Sequence, residues 1–194
     1  MGMQKRQNTM KRDGSVPETL YGTPEIVELA STDCVGFRIT TTMREDRKAR
    51  EIPPFFHDVY DEGRLSHLAS DDDSQMFCIF DMHGNGIDFD YYVAVKGAGE
   101  SQSDKAAAIT LPGGRYARAG FLKRNHHAAS GIIAYLRGRW IAEVGHVPAS
   151  GPAFIVYDDR FHANYRTFGC SDGEYLGTPI ATLYIPVTDA GKQE

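Results

Sequence analysis

The apolar positions in residues 51–63 predict an amphipathic helix. Five of them recur at i, i+3, i+4, i+7 and i+8, the spacing of one helix face: Ile52, Phe55, Phe56, Val59 and Tyr60. Pro53 and Pro54 suit a first helical turn, where an N–H has no partner within the helix. Gly63 suits the residue just past the end. Because this face carries three aromatic rings, we expect it to pack against a second apolar surface.

A β-hairpin is the clearest local pattern of the chain. Residues 75–82 and 87–95 are rich in β-branched and aromatic residues, and the Asn85-Gly86 pair between them favours a tight turn. Apolar and polar residues alternate along the second of these strands. We therefore expect Tyr91 to point to the buried face of the sheet and Asp90 to the other.

A second helix is predicted over residues 126–144, with Gly145 just after it. Its apolar stripe consists of Ile132, Tyr135, Leu136, Trp140 and Val144. The first four of these follow Ile52, Phe55, Phe56 and Tyr60 by eighty residues each. The chain therefore reads as a duplication, with one helix in each half.

Eight predicted strands complete the two halves, at residues 26–29, 34–42, 75–82, 87–95, 107–111, 115–122, 153–157 and 180–187. The pattern predicts an α+β fold of duplicated β-α-β-β halves in pseudo-twofold arrangement, with an antiparallel sheet and two helices on one face. We expect a disordered tail at 1–22 and a single domain at 23–190, with halves at about 23–98 and 105–188.

Composition narrows the classes of function. The net charge of -5 argues against a general nucleic-acid binder. The three cysteines are odd in number and widely spaced, which is typical of reduced thiols in a cytoplasmic protein. No apolar run is long enough for a membrane helix, and the N-terminus has no signal core. We expect a cytoplasmic monomer or homodimer that contacts neither nucleic acid nor membrane.

Four short motifs are weak candidates for chemistry. Residues 169–173 match a nucleophile-elbow pattern, but no strand precedes them. Residues 81–86 begin like a calcium loop, yet the hairpin turn explains them and position twelve is Tyr92. His126-His127 lacks the spacing of a zinc site, and the aspartates at 71–73 suit a solvated loop better than a site for a divalent ion. The sequence therefore predicts no catalytic residue, no metal and no cofactor.

The aromatic residues give a stronger hypothesis. Six of them belong to the two helices and the hairpin: Phe55, Phe56, Tyr60, Tyr91, Tyr135 and Trp140. Ordinary core packing explains Phe55 and Tyr135 equally well. A groove between two related halves, lined by rings with polar edges, also suits stacking and cation–π contacts with a small molecule.

Seven stretches, in this order, resemble the gyrase-inhibitor-like effector-binding domain. They are residues 24–29, 35–43, 52–56, 89–91, 111–116, 151–158 and 184–187, and together they span about 24–188. That family includes the drug-sensing parts of multidrug transcription regulators and stand-alone proteins such as integron cassette products. The resemblance implies two β-α-β-β halves and a groove between them that binds small, often cationic and aromatic compounds.

The resemblance also implies a glutamate in the pocket, two residues before a tyrosine. In this chain Ile155 stands at that position and Tyr157 is the tyrosine. A carboxylate offsets the desolvation of a bound cation, and an isoleucine does not. We therefore expect apolar or aromatic ligands that are neutral or weakly polar, bound by Phe56, Tyr60, Tyr91, Trp140, Ile155 and Tyr157.

A longer loop than the family's usual connection is expected at residues 159–179, with Phe161, Tyr165, Phe168 and Tyr175. A lid over the groove, an interface and a plain surface insertion all remain open for it. The leading hypothesis is a stand-alone small-molecule-binding module, since the first 23 residues hold no helix-turn-helix. The alternatives are a protein-interaction module of the topoisomerase-inhibitor kind and, less favoured, a hydrolase of small molecules that uses Tyr91 or Tyr157.

Overall fold

The computed structural model describes most of the 194-residue chain. The described residues are 15–68, 75–97, 106–123, 128–159, 161–162, 170–171, 174–175 and 180–191. The predicted linker between the halves lies almost entirely outside these residues, so the proposed boundaries of the halves remain predictions.

The first half contains four strands and one long helix. Its elements are β1 (Leu20–Leu29), β2 (Thr32–Thr42), a 3₁₀ turn (Arg44–Asp46), α1 (Arg47–Asp61), a 3₁₀ turn (Arg64–His67), β3 (Met76–Met82) and β4 (Asp88–Lys96). Strands β3 and β4 form the predicted hairpin, in which the side-chain carbonyl of Asn85 accepts hydrogen bonds from the N–H groups of Ile87 and Asp88, both at 2.9 Å.

The second half repeats this order with additions. Its elements are β5 (Ala107–Leu111), β6 (Gly114–Leu122), α2 (Ala128–Tyr135), a π-helical turn (Leu136–Trp140), α3 (Ile141–Glu143), β7 (His146–Pro148), β8 (Ala153–Tyr157), β9 (Cys170–Ser171), β10 (Glu174–Tyr175) and β11 (Ile180–Asp189). Strands β9 and β10 pair only with each other among the described residues.

The order of strands in the large sheet shows the pseudo-twofold symmetry. It runs β1-β6-β11-β8-β3-β4-β2-β5, with β7 paired to the end of β11. Exchanging each strand of one half for its counterpart reverses this order and reproduces it. The two halves meet where β3 pairs with β8 at the centre. The helices lie on one face, because side chains of α1, α2 and α3 share a single buried cluster. The predicted α+β fold is therefore confirmed.

Strand β1 starts earlier than the sequence suggests. It begins at Leu20 rather than near Ile26, so residues 20–22 lie in the sheet and not in a tail. Leu20 pairs with Phe121 of β6, and the register then shifts before Glu25, next to Gly22 at φ 75°. The pairing is long-range and leaves no periodic pattern in the local sequence.

Helix α1 also starts earlier than predicted, at Arg47, and Pro53 and Pro54 lie inside it. Each proline removes one hydrogen bond from the helix. Other contacts hold the first turns. Glu51 accepts a hydrogen bond from Arg47 at 2.5 Å and another from the Thr41 hydroxyl of β2 at 2.7 Å. The apolar face is as predicted, with Phe56 and Val59 buried.

The second helix departs from its predicted stripe at the π-helical turn. Ile132 and Leu136 are fully buried as expected, but the next buried residue is Ile141. The step from Leu136 to Ile141 is five residues, the spacing of a π turn, so it shifts the inward face by one position. Trp140 is consequently only half-buried, and Val144 is 40% exposed, contrary to the predicted stripe.

The sheet buries side chains on both faces, which simple alternation in β4 did not indicate. Tyr91 faces the helices, as predicted, and is 3% exposed. Its neighbour Tyr92 is equally buried, in a second cluster on the opposite face. That cluster also contains Phe77 and Phe154, and a cleft of about 190 Å³ opens beside them. Within the described residues, no helix is long and apolar enough to cross a membrane.

Gly36 in β2 gives a sharp test of this packing. A Cβ at this position would lie 2.2 Å from the carbonyl oxygen of Val93 and 2.4 Å from Cα of Ala94, both backbone atoms of β4. We expect Gly36→Ala to lower the free energy of unfolding by about 2 kcal/mol or more in urea denaturation, because a backbone cannot yield as a side chain does.

The matched control is Gly84→Ala in the hairpin turn, where an added Cβ meets nothing within 4 Å. This variant should stay within about 0.5 kcal/mol of the wild-type protein. Equal stability of the two variants would contradict the close approach of β2 and β4.

Candidate functional site

Helix α1 supplies one side of an aromatic cluster. The rings of Phe56 and Tyr60 stack with their centroids 5.5 Å apart and their planes at 13°. Residues four apart lie on the same helix face, which brings the two rings together. Phe56 is 4% exposed, whereas Tyr60 is only partly buried. The helix therefore presents one buried ring and one ring at the surface.

Strand β8 supplies the floor. Ile155 and Tyr157 lie two residues apart, so they point to the same face of the sheet, and both are almost completely buried. The Tyr157 ring is 6.1 Å from that of Phe56. Ile155 lies between Cys78 of β3 and Leu183 of β11 in the sheet register. An apolar side chain thus occupies the position where the resemblance implies a glutamate.

A turn after β8 closes over these rings. The N–H groups of Phe161 and His162 donate to the Asp158 carbonyl at 2.9 and 3.1 Å. Phe161 is fully buried, 4.3 Å from the Tyr157 ring. The His162 ring stacks on that of Tyr60 at 5.6 Å and 8°, with 2.8 Å between its Nδ1 and the Tyr60 hydroxyl.

We call this set the aromatic groove: Phe56, Tyr60, Tyr157, Phe161 and His162. It joins α1 of the first half to β8 and the following turn of the second half. Phe161 and His162 belong to the predicted 159–179 loop. The beginning of that loop therefore packs against Tyr157 and Tyr60. Tyr165 and Phe168 of that loop lie outside the described residues.

Two other predicted ligand-binding residues lie apart from the groove. Tyr91 contacts Phe55 at 6.2 Å and Phe80 at 5.2 Å between ring centroids. Trp140 packs against the edge of the helix-facing core, and no ring contact between described residues includes it. The structure therefore brings together Phe56, Tyr60 and Tyr157, and Ile155 lies beside them. Tyr91 and Trp140 lie farther from these side chains.

Lys123 is a site residue that the sequence analysis missed. Its ammonium donates a hydrogen bond to the Tyr157 hydroxyl at 2.5 Å and lies 4.9 Å from the centroid of that ring. The signal was present in β6, where Ala117, Ala119 and Phe121 alternate onto the helix-facing core. Lys123 is the next residue in that alternation, and it is only 8% exposed.

The thiol of Cys78, which the charge of Lys123 reaches, is unreactive at neutral pH. Burial raises the pKa of Cys78 to about 11, although a hydrogen bond with Tyr91 and the positive charge of Lys123 act in the opposite direction. A thiol with so high a pKa holds almost no thiolate at neutral pH and is a poor nucleophile.

Metal chemistry has no support in the described part of the chain, where no three His, Cys, Asp or Glu side chains come together. The pair His126-His127 and the aspartates at 71–73 lie outside the described residues. Residues 81–86 form the hairpin turn, as expected. What the groove offers instead is stacking surface, tyrosine hydroxyls and one ammonium group.

These features define a class of protein, a duplicated α+β domain with a cluster of aromatic side chains where its two halves meet. The family model of the integron-associated effector-binding proteins, named Cass2, matches residues 25–187. The chain therefore belongs to this family, which confirms the resemblance inferred from the seven stretches. A search of curated proteins gives no significant match.

Solved structures share the fold at low sequence identity. SAV2435, solved with bound tetraphenylphosphonium, is 19% identical with a TM-score of 0.64, covering 86% of this chain and 94% of its own. An integron cassette protein of Vibrio cholerae is 13% identical with a TM-score of 0.54, covering 88% and 98%. The C-terminal domain of EcmrR is 10% identical with a TM-score of 0.56, covering 87% and 98%.

The state of Cys78 can be tested by alkylation. At about pH 8 we expect the Cys78 thiol of the folded protein to react with iodoacetamide at least about a hundredfold more slowly than in concentrated urea, because thiolate is scarce and the side chain is buried. Mass spectrometry of peptides containing Cys78 measures the rate. Comparable rates in the two conditions would show that this part of the sheet is open.

Proposed function

We propose that this protein binds small apolar or aromatic molecules in the groove between its two halves, and that it acts as a binding module rather than as an enzyme. The residues proposed to contact the ligand are Phe56, Tyr60, Tyr91, Trp140, Ile155 and Tyr157. Of these, Phe56, Tyr60 and Tyr157 lie in the aromatic groove and are proposed to make the main stacking contacts.

The observation that carries this proposal is that the rings of the groove differ in how deeply they are buried. Tyr157 and Phe161 are fully buried, while Tyr60 and His162 are only partly buried. This difference in burial supports a binding site that is apolar inside and accessible at Tyr60 and His162, which suits a flat apolar molecule. A ligand would enter by moving Phe161, whose turn is held by its backbone hydrogen bond to Asp158. A ring of the ligand would then take the place of the Phe161 ring against Tyr157.

The family and one neighbour support the same proposal. The family is described as effector-binding, and SAV2435 was solved with tetraphenylphosphonium, a cation that carries four phenyl rings. Stacking between aromatic rings contributes about 0.5–1.5 kcal/mol per pair beyond the area buried. Several such contacts are sufficient for binding without any covalent chemistry.

The inertness of Cys78 and the isoleucine at position 155 are the reasons for proposing binding rather than catalysis. Neither side chain offers a nucleophile or a base. A protein-interaction role and a hydrolytic role for Tyr91 or Tyr157 remain predictions of the sequence analysis.

The proposal is tested by titrating the protein with N-phenyl-1-naphthylamine, an uncharged aromatic dye whose fluorescence rises in an apolar site. We expect saturable binding to the wild-type protein. Tyr60→Ala should weaken it about tenfold, because one stacking partner at the mouth is lost.

Tyr21→Ala is the matched control, since Tyr21 is 54% exposed on β1 and lies outside the groove. It should bind the dye like the wild-type protein. The absence of saturable binding, or an equal loss in both variants, would refute the proposal.

A further inference from the structure

The large sheet bends round until the turns that follow its two outer strands meet. Strands β1 and β5 lie at opposite edges of the sheet. Yet the Ser31 hydroxyl, just after β1, donates a hydrogen bond to the Leu111 carbonyl at the end of β5, at 3.1 Å. A Cβ at Gly113, in the turn after β5, would lie 3.0 Å from the backbone nitrogen of Ser31. The strands therefore enclose an interior at this end of the sheet, as the strands of a barrel do.

The enclosed side is the face opposite the helices. The cleft of about 190 Å³ opens there, beside the second buried cluster. Each strand in the order from β1 to β5 contributes at least one residue to its lining, from Leu29 of β1 and Tyr116 of β6 to Thr32 of β2 and Leu111 of β5. No residue of the aromatic groove lines this cleft.

Strand β8 separates the two sites by its alternation. Ile155 and Tyr157 belong to the helix-facing cluster, whereas Phe154 and Val156 belong to the opposite face and line the cleft. Successive side chains of a strand point to opposite faces of its sheet, so the two sites share one strand but no side chain.

The base of the cleft is aromatic. The Phe154 ring is stacked on that of Tyr184 at 4.8 Å and 15°, and it contacts Tyr116 at 5.5 Å and Phe77 at 6.1 Å between centroids. The Tyr116 hydroxyl donates to the Pro112 carbonyl at 2.7 Å, so this polar group is satisfied within the protein. Burial raises the pKa of Tyr116 and of Tyr184, and both hydroxyls are therefore uncharged at neutral pH.

The outer lining of the cleft is polar. Gln75 and Lys96 are exposed and Thr32 is partly buried, whereas Phe77, Tyr116 and Phe154 are buried. A charged molecule at the base would lose its hydration among aromatic rings and gain no opposite charge there. An uncharged ring with one N–H or O–H group can bury the ring and keep the polar group near the surface.

The volume of the cleft sets the size of its ligand. An engineered apolar cavity of about 150 Å³ holds a benzene molecule. A cleft of about 190 Å³ is of the same order and suits one ring or two fused rings. It is too small to receive a peptide segment or the side of a helix.

We propose that the interior of the curved sheet is a second small-molecule site, which takes an uncharged aromatic molecule of one or two rings, such as an indole or a phenol. The ring packs against Phe154 and Tyr116, and the polar group lies near Gln75 at the surface. This site is separate from the aromatic groove and does not depend on the function proposed for it.

The test is a calorimetric titration with indole. We expect saturable binding to the wild-type protein, and binding at least about tenfold weaker in Val156→Phe, because the added ring takes up space in the cleft. Val144→Phe is the matched control, since Val144 is 40% exposed at the end of the second helix, and it should bind indole like the wild-type protein. A lack of saturable binding, or an equal loss in both variants, would overturn the inference.

A second pair of titrations separates this site from the aromatic groove. Val156→Phe should bind N-phenyl-1-naphthylamine like the wild-type protein, and Tyr60→Ala should bind indole like the wild-type protein. Weaker indole binding in Tyr60→Ala would place indole in the aromatic groove, which overturns this inference and leaves the proposed function standing. Indole binding that is sensitive to Val156→Phe, in a protein that does not bind the dye, would support this site and refute the proposed function.

A measurement on the wild-type protein covers the case in which Val156→Phe fails to fold, as judged by circular dichroism. With the methyl groups of leucine and valine labelled for NMR, indole protons should show nuclear Overhauser contacts to Leu29, Leu111 and Val156, all of which line the cleft. Contacts to Val59 of α1 in their place, or no contacts to these three residues, would overturn the inference.

Discussion

The pairing of β3 with β8 is the contact on which the rest of this structure depends, because it joins the two halves into one sheet. Its register runs from Met76 opposite Tyr157 to Phe80 opposite Ala153. A shift of one residue would turn Tyr157 to the other face of the sheet. The ring would then lose Phe56 of the other half, and its hydroxyl would lose Lys123. The aromatic groove therefore exists only in this register.

Among the described residues, the groove combines apolar rings with one buried charged side chain, Lys123, which contacts the ring and the hydroxyl of Tyr157. The Tyr157 ring offers its negative face to the ammonium, and its hydroxyl oxygen accepts a hydrogen bond from it. The same rings exclude water, which strengthens every electrostatic interaction that remains.

Much of the fold could be predicted because the sequence carries it locally. The hairpin turn at Asn85-Gly86 and the apolar face of α1 depend on neighbouring residues, and the eighty-residue repeat is a comparison of two such local patterns. The start of β1 could not be predicted, since it is set by pairing with β6, nearly a hundred residues away. The prolines of α1 were misplaced because Glu51 holds the preceding turn, both through Thr41 of β2 and through Arg47 one turn earlier in the helix.

The candidate site was only partly predictable for similar reasons. Phe56, Tyr60 and Tyr157 were found from helix spacing and from the resemblance. Trp140 was placed in the inward stripe because nothing in the local sequence indicated the π turn that favours Ile141. Lys123 was overlooked because a lysine after a strand is ordinarily solvated, although its alternation with Phe121 pointed inward.

The exchange of outer strands between the halves has a consequence for folding. Strand β1 of the first half pairs with β6 of the second, and β5 of the second pairs with β2 of the first. Neither half can complete its own sheet, so partial unfolding of one removes an edge strand from the other. Such sequence-distant pairings favour slow, all-or-none folding. A ligand held where the halves meet would therefore stabilise the entire chain, by an amount that grows with its occupancy.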